Sequence, residues 1–504
     1  MTDLERLARG AIVVGFDGHR LSGDLAERLR ENAFAGYLLF ARNVASFAQV
    51  RELTDALRAL HDGLAPIVAI DQEGGRVTRL REGAQTIPPM MALGATGDRE
   101  LARRVGESLA HDVRRAGCTV DYAPVLDLAA DPMSGAIGTR AFAADPLEVA
   151  ELASAVASGL RAGGIVPTFK HFPGHGSTAD DSHLMLPVID MDERTLRARD
   201  LLPFARLLPG AQAVMTAHIV VRALDPMHPA TLSRRILTGV LRDELGFRGV
   251  CFTDCMQMDA IARGIGTVEG VVAAIAAGAD CALVSHDIDL AVKAGDALAN
   301  AVREGRLERA RLEQACERVR ALREAQSTPL PLDTPAPYPG IGREVAARAI
   351  TAVRGVQGLD PATSVVVSFQ SSTTEGAQGT FDEYPSLRGE APALHEIVLS
   401  LQPSDAERAR LVDALARTNR RPILLARRAR FYPEQMAAIH AALDARGDAV
   451  LVALREPFDL TWFPQARHAI AAYGDDDACI AALAGVLFGR REPVGTLPVS
   501  IAER

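Results

Sequence analysis

The side chains best suited to chemistry crowd into Val166–His183, VPTFKHFPGHGSTADDSH, which holds Lys170, His171, His175, Asp180, Asp181 and His183. Pro173, Gly174 and Gly176 keep its middle from being helical. Two chemistries compete for it. His171 and His175 are four residues apart, and on a helix that spacing would turn both imidazoles to one face, where they could share a zinc ion. The intervening Pro and Gly, and the lack of a Glu after His171, weigh against a metal. The alternative is acid/base work. Asp181 lies two residues before His183, so its carboxylate can fold back, hold one ring N–H and raise the basicity of the other nitrogen. Such an imidazole both gives and takes a proton in a two-step reaction. By itself, Asp-Ser-His reads as a solvated loop with a helix N-cap.

A two-step reaction calls for a nucleophile, and Asp254 in CFTDCMQMDA qualifies as a carboxylate directly after a buried apolar strand. Asp259 is expected one turn into the next helix, exposed. Asp71 and Arg79 in IDQEGGRVTRL, Arg140 in IGTRAF, and Lys170 with His171 offer charged donors and acceptors suited to a polyhydroxylated ligand. Taken singly, each also reads as a surface ion pair. EGGR at Glu73–Arg76 is glycine-rich but fits neither the dinucleotide fingerprint nor a P-loop, and no GxSxG elbow is present.

Positioning these groups falls to an alternation of short apolar runs and longer helical patterns, the signature of βα units in a parallel sheet. Eight runs qualify as strands: Ile12–Val14, Tyr37–Phe40, Ile67–Ile70, Thr119–Tyr122, Val166–Lys170, Ala213–Thr216, Gly249–Phe252 and Cys281–Val284. Eight strands close a (β/α)8 TIM-type barrel. The third run leads to Asp71, the fifth ends in Lys170 and His171, the sixth leads to His218, the seventh to Asp254 and the eighth to Ser285 and His286. That is the face on which barrel enzymes carry their active sites. The five prolines of Thr328–Gly340 forbid helix there. The chain is thus expected to divide into a barrel domain over 1–325, a linker over 326–340 and a smaller α/β sandwich over 341–504, three layers thick, with strands at Ser364–Phe369, Ile423–Ala426 and Val450–Leu454.

Composition narrows the partners. With 504 residues, 48% hydrophobic and 24% charged, the chain is an ordinary globular protein large enough to fold without disulfides or metal. The 55 Lys plus Arg against 64 Asp plus Glu, net -9, with no dense basic run, exclude nucleic acid as a partner. No apolar run reaches the roughly 18 residues of a membrane span. The six scattered cysteines, mostly in apolar stretches, read as buried thiols in a reducing compartment, so a cytoplasmic location is expected.

Taken together, the run KHFPGHGST followed by DDSH resembles the signature of the β-N-acetylglucosaminidase branch of glycoside hydrolase family 3. FARNV, IDQEGGRVTRL, APVLDL, IGTRAF, VMTAHI and FTDCMQMDA, with REPFDL and GTLPVS near the C-terminus, extend the resemblance along nearly the whole chain. It implies a retaining exo-glycosidase with Asp254 as nucleophile, His183 oriented by Asp181 as acid/base, and Asp71, Arg79, Arg140, Lys170 and His171 around an N-acetylglucosamine ring. It implies a carbohydrate substrate, no cofactor or metal, and a monomer or homodimer. A muropeptide or the disaccharide of N-acetylglucosamine and anhydro-N-acetylmuramic acid, met in cell-wall recycling, is the expected substrate. Departures from the family pattern are Ser177 where GHGDT is usual, Cys255 where SDDLSM is usual, and Ala141 where RSF is usual. Within the family, phosphorolysis or another β-glycosidase specificity is the alternative reading. Outside it, the alternative is a non-catalytic sugar-binding protein.

Overall fold

A computed structural model of the protein describes residues 1–178, 186–355, 358–370 and 386–501. Eight parallel strands close into a barrel: β1 (Ile12–Gly15), β2 (Gly36–Leu39), β3 (Ile67–Ile70), β4 (Val120–Asp121), β5 (Val166–Phe172), β6 (Ala213–Thr216), β7 (Val250–Cys255) and β8 (Cys281–Val284). β1 pairs with both β2 and β8, and the others follow in chain order. The apolar runs place all eight, with differences at their ends. β4 keeps only two of its four expected residues, whereas β7 continues past Phe252 because its ladder with β8 resumes beyond an irregularity and pairs Leu283 with Cys255. Asp254 therefore stands inside a strand, not after one.

Strand alternation does the sorting of side chains. Val13, Leu38, Tyr122, Val166, Met215, Phe252 and Leu283 point inward and fill the barrel, while the alternate residues Val14, Ile70, Phe169, Val214, Cys251 and Val284 pack outward in the core that includes the surrounding helices. Asp71 follows the inward Ala69 by two residues, and Asp254 follows the inward Phe252 across the irregularity in β7, so both carboxylates reach the same mouth. At the other end, Asp280, just before β8, is fully buried and accepts from Arg242, Arg311, Arg318 and the backbone of Cys251.

The second sheet has six strands: β9 (Thr351–Arg354), β10 (Ser364–Gln370), β11 (His395–Ser400), β12 (Arg421–Ala426), β13 (Val450–Ala453) and β14 (His468–Ala471). They lie in the order β9-β14-β13-β12-β10-β11, parallel except for β9. Apolar residues on both faces make it the middle of three layers. Val366, Ile423 and Val450 pack with the helix Asp477–Leu487, and Val367, Leu424 and Leu451 with the helices Asp405–Arg417 and Pro433–Ala445. β9, β11 and β14 were not legible as strands. β9 and β11 are the edge strands, the first burying little beyond Thr351 and the second with Val398 half exposed, and β14 is half alanine.

The proline-rich stretch contains neither helix nor strand. It is strapped along the barrel helix Arg99–Arg115 by Arg114 and His111, which bond the carbonyls of Thr328 and Thr334, and by Tyr338, whose hydroxyl donates to Glu107.

Candidate active site

A cavity of about 520 Å³ opens at the C-terminal mouth of the barrel. Its lining includes Asp71 after β3, Lys170 and His171 of β5, Asp254 of β7, and Arg79 and Arg140 from two long loops. All six sequence candidates in the described residues thus meet in one place. Asp181 and His183 lie outside the described residues, as does Asp180. Met215, Leu38, Leu283 and Tyr122 form an apolar floor.

Lys170 organises the polar wall. Its ammonium, on a side chain 2% exposed, sits 2.9 Å from Asp71 Oδ1 and 2.6 Å from Glu73 Oε1. Arg140 grips the same Glu73 with two donors, Nε to Oε2 at 2.8 Å and Nη2 to Oε1 at 2.7 Å. Arg79 Nη2 reaches Asp71 Oδ2 at 3.5 Å. Burial by itself would raise both carboxyls, but Arg140 and Lys170 hold Glu73 well below the carboxylate range, and Lys170 and Arg79 lower Asp71. Lys170 and Arg140 are raised in turn by these carboxylates, against burial, so the network stays ionised. These groups are not surface ion pairs. Nor is the pocket simply cationic, because Asp71 and Glu73 offset two of the three cations Lys170, Arg79 and Arg140, and Asp254 offsets the third.

His171 is held by its neighbours. Burial works against the charge on Asp127, yet the two histidines beside it hold its carboxyl low. Asp127 Oδ2 therefore accepts from His171 Nδ1 at 2.6 Å. Arg140 Nη2, which can only donate, lies 3.4 Å from Nε2. With Nδ1 on Asp127, it is Nε2 that the ring turns toward the arginine. His175 has contacts of its own. Its backbone N–H is bound by Asp127 at 2.7 Å, and its Nδ1 lies 2.9 Å from Thr178 Oγ1. Among the described residues no group of three or more His, Cys, Asp and Glu side chains is placed to hold a metal ion. Gly176 lets this loop close on Leu128, since a Cβ there would come 1.9 Å from its carbonyl oxygen.

Around Asp254 the backbone N–H of Cys255 donates to Oδ1 at 2.7 Å. The Cys255 thiol lies 2.6 Å from Ser285 Oγ, so this departure from the family pattern joins β7 to β8 by a side-chain contact. His218 reaches the carbonyl of Cys255 with Nε2 at 2.9 Å. Asp259 begins the next helix instead of lying a turn inside it, is partly buried, and pairs with Arg263. Ser177, the other polar departure, donates to Asp200 at 2.6 Å. At the rim, His286 stacks on Phe40 at 5.5 Å and Arg42 covers the same ring at 4.5 Å.

Sequence reasoning passed over Glu73, Asp127, Phe40, Arg42 and Tyr122 as site residues. Glu73 lies in the glycine-rich EGGR turn and Asp127 in APVLDL, and a carboxylate beside a βα turn is the signal that each offers.

The family model for the glycosyl hydrolase family 3 N-terminal domain matches residues 7–322. A beta-hexosaminidase of Xylella fastidiosa (strain 9a5c) is 42% identical over 283 residues, spanning 55% of this chain and 83% of its own. One from Pseudomonas aeruginosa (strain LESB58) is 41% identical over 281 residues, with the same coverage of 55% and 83%. Among solved structures, a family 3 β-N-acetylglucosaminidase from Paenibacillus sp. str. FPU-7 is similar over 100% of both chains, with TM-score 0.93 and 32% identity. NagZ from Neisseria gonorrhoeae, solved with N-trifluoroacetyl-D-glucosamine, covers 62% of this chain and 98% of its own at TM-score 0.52 and 33% identity.

Proposed function

The chain belongs to glycosyl hydrolase family 3, and from that premise we propose that it is a retaining, exo-acting β-N-acetylglucosaminidase that removes terminal N-acetylglucosamine. One observation carries the reading: Asp254 shares a cavity with the buried Lys170–Asp71–Glu73–Arg140 network, an array of fixed charges able to orient hydroxyls beside a carboxylate nucleophile. The beta-hexosaminidase relatives, and the relative solved with an N-acylglucosamine, support the choice of sugar.

In this proposal the sugar ring lies over the apolar floor, with Asp71, Lys170, Arg79, Arg140 and His171 bonding its hydroxyls. The Asp254 carboxylate attacks the anomeric carbon as the glycosidic bond breaks, and His183, oriented by Asp181, gives its proton to the departing oxygen. Water then attacks the glycosyl-enzyme, His183 takes the water's proton, and Asp254 is released with the anomeric configuration retained. We infer a muropeptide or a disaccharide of N-acetylglucosamine and anhydro-N-acetylmuramic acid as the natural substrate, in cell-wall recycling. The cysteine usage supports a cytoplasmic setting. Among the described residues no helix is long and apolar enough to cross a membrane.

The test is turnover of an aryl N-acetyl-β-glucosaminide and of the matching aryl glucoside, with the first product anomer read by NMR. The expected result is preference for the N-acetylated substrate, initial release of the β-anomer, and loss of at least about a thousandfold in kcat for Asp254→Ala. Full rate in that variant would overturn the assignment of the nucleophile. Preference for the glucoside would overturn the choice of sugar.

A further inference from the structure

In open parallel sheets the C-terminal strand ends commonly face a ligand crevice. In the second domain they face the barrel. Arg427, Arg428 and Arg430 follow β12, Arg455, Glu456 and Asp459 follow β13, and Asp475 follows β14. The cluster is deeply buried: Arg430 lies 3.2 Å from Glu456 and 2.9 Å from Asp459, and Arg455 lies 2.9 Å from Asp475. Buried ion clusters are poor stabilisers, since well-packed apolar residues of the same volume often do as well or better. What sets this cluster apart is where its remaining contacts go.

They go to the two loops that furnish the polar wall of the active site. Arg430 Nε donates to the carbonyl of Pro132 at 2.5 Å, and Arg428 Nη2 to that of Gly135 at 3.1 Å. Glu456 closes on Gly138, where a Cβ would lie 2.3 Å from Oε1 and where φ is +48°. Two residues on is Arg140, whose Nη1 ties back to the carbonyl of Ala136 within the same loop at 3.0 Å. On the other loop, Asp475 faces Arg76 at 3.7 Å, between Glu73 and Arg79. Both ends of the Glu73–Arg140 pair therefore rest on the second domain.

We propose that the second domain is a positioning part of the active site, in which Glu456, Arg428 and Arg430 set the 132–140 loop and Asp475 sets the 73–79 loop, so that Arg140 and Glu73 meet Lys170 in register. This assigns the REPFDL segment a role and rests on the reading that the Arg140 wall holds the sugar. None of these second-domain residues lines the cavity; they act through the loops. Displacement of such a wall by about 1 Å is enough to cost on the order of a hundredfold in rate.

The experiment uses the full chain with Glu456→Gln, Arg428→Ala and Arg428→Lys. Its control is Leu411→Ala, a core deletion in the helix Asp405–Arg417 on the outward face of the second sheet. Hydrogen exchange of the 132–140 and 73–79 peptides reads loop order whatever the substrate is. Steady-state kinetics on the aryl N-acetyl-β-glucosaminide, with inhibition by N-acetylglucosamine, reads the consequence. Expected are faster exchange in both loops and kcat/KM lowered about tenfold to a hundredfold for Glu456→Gln and Arg428→Ala, partial recovery in Arg428→Lys, and near wild-type loops and KM in Leu411→Ala. Unchanged loop exchange in Glu456→Gln and Arg428→Ala overturns the proposal, as does an equal kinetic loss in Leu411→Ala. Ordered loops that loosen as expected in an enzyme inactive on this glycoside would leave the positioning intact and count against the choice of sugar alone.

Discussion

Lys170 is the residue on which the site's charge balance turns, because two buried carboxylates share its single ammonium. Replacing it by Met, which keeps the stem, leaves Asp71 with Arg79 at 3.5 Å and Glu73 with Arg140, each carboxylate having lost its shared ammonium. Buried ion networks broken on one side lose roughly 3–5 kcal/mol, and part of that loss is relieved here because Arg140 still holds Glu73. Lys170→Met is therefore expected to lower stability by about 2–4 kcal/mol in a urea titration and to lower kcat/KM at least a hundredfold. Melting and kinetics unchanged together would show that the ammonium is a bystander. The identity of this residue as functional was legible in the sequence, but its partner Glu73 was not. Nothing local links Glu73 to a lysine some hundred residues on. The same holds for Asp127, which holds the His171 ring from 44 positions away.

At the scale of elements, the two ends of the barrel have separate duties, and Asp280 exposes the division. Its carboxylate ties the start of β8 to the helix Arg309–Glu324 and to Arg242, at the end opposite the cavity. Asp280→Asn is expected to cost roughly 3–5 kcal/mol of stability, by stranding three arginines around a neutral amide, while KM stays within about twofold. A large change in KM with little loss of melting temperature would contradict this separation. The strands themselves were readable because each barrel strand is a compact apolar run between turn signals. The extension of β7 was not, since its last residues, Thr253–Cys255, are polar or half-buried and are recruited by pairing with β8. The edge strands of the second sheet escaped for the same reason: partners beside them, not their own composition, make them strands.

For the whole molecule, the buried carboxylates predict how stability responds to acid. Burial opposes the charge on Glu456, but Arg430 and Arg428 prevail and hold it at about 2, against its ordinary 4.5. A depressed carboxyl of this kind contributes its full stability above the ordinary value and loses it as pH falls toward the folded one. Glu73 and Asp475 are depressed in the same sense. Asp121 runs the other way: burial raises it well above its ordinary 3.8, so its contribution is complete below that value and declines as pH rises. Melting temperature is thus expected to fall between about pH 4.5 and 2, and Glu456→Gln, lacking one of the depressed groups, to fall less steeply than the wild type. Parallel slopes would remove Glu456 from the account. What the sequence determined by itself was local in origin: the apolar runs that become barrel strands, the prolines that exclude helix over 328–340, and the ionisable residues at strand ends, all expressed within a few residues of chain. What only the tertiary structure decided was which of those residues face one another. The Lys170–Glu73 contact, the Asp127–His171 bond and the reach of Arg430 to Pro132, 298 residues earlier, depend on chain closure, and side chains brought together by closure leave no periodicity in the segments that supply them.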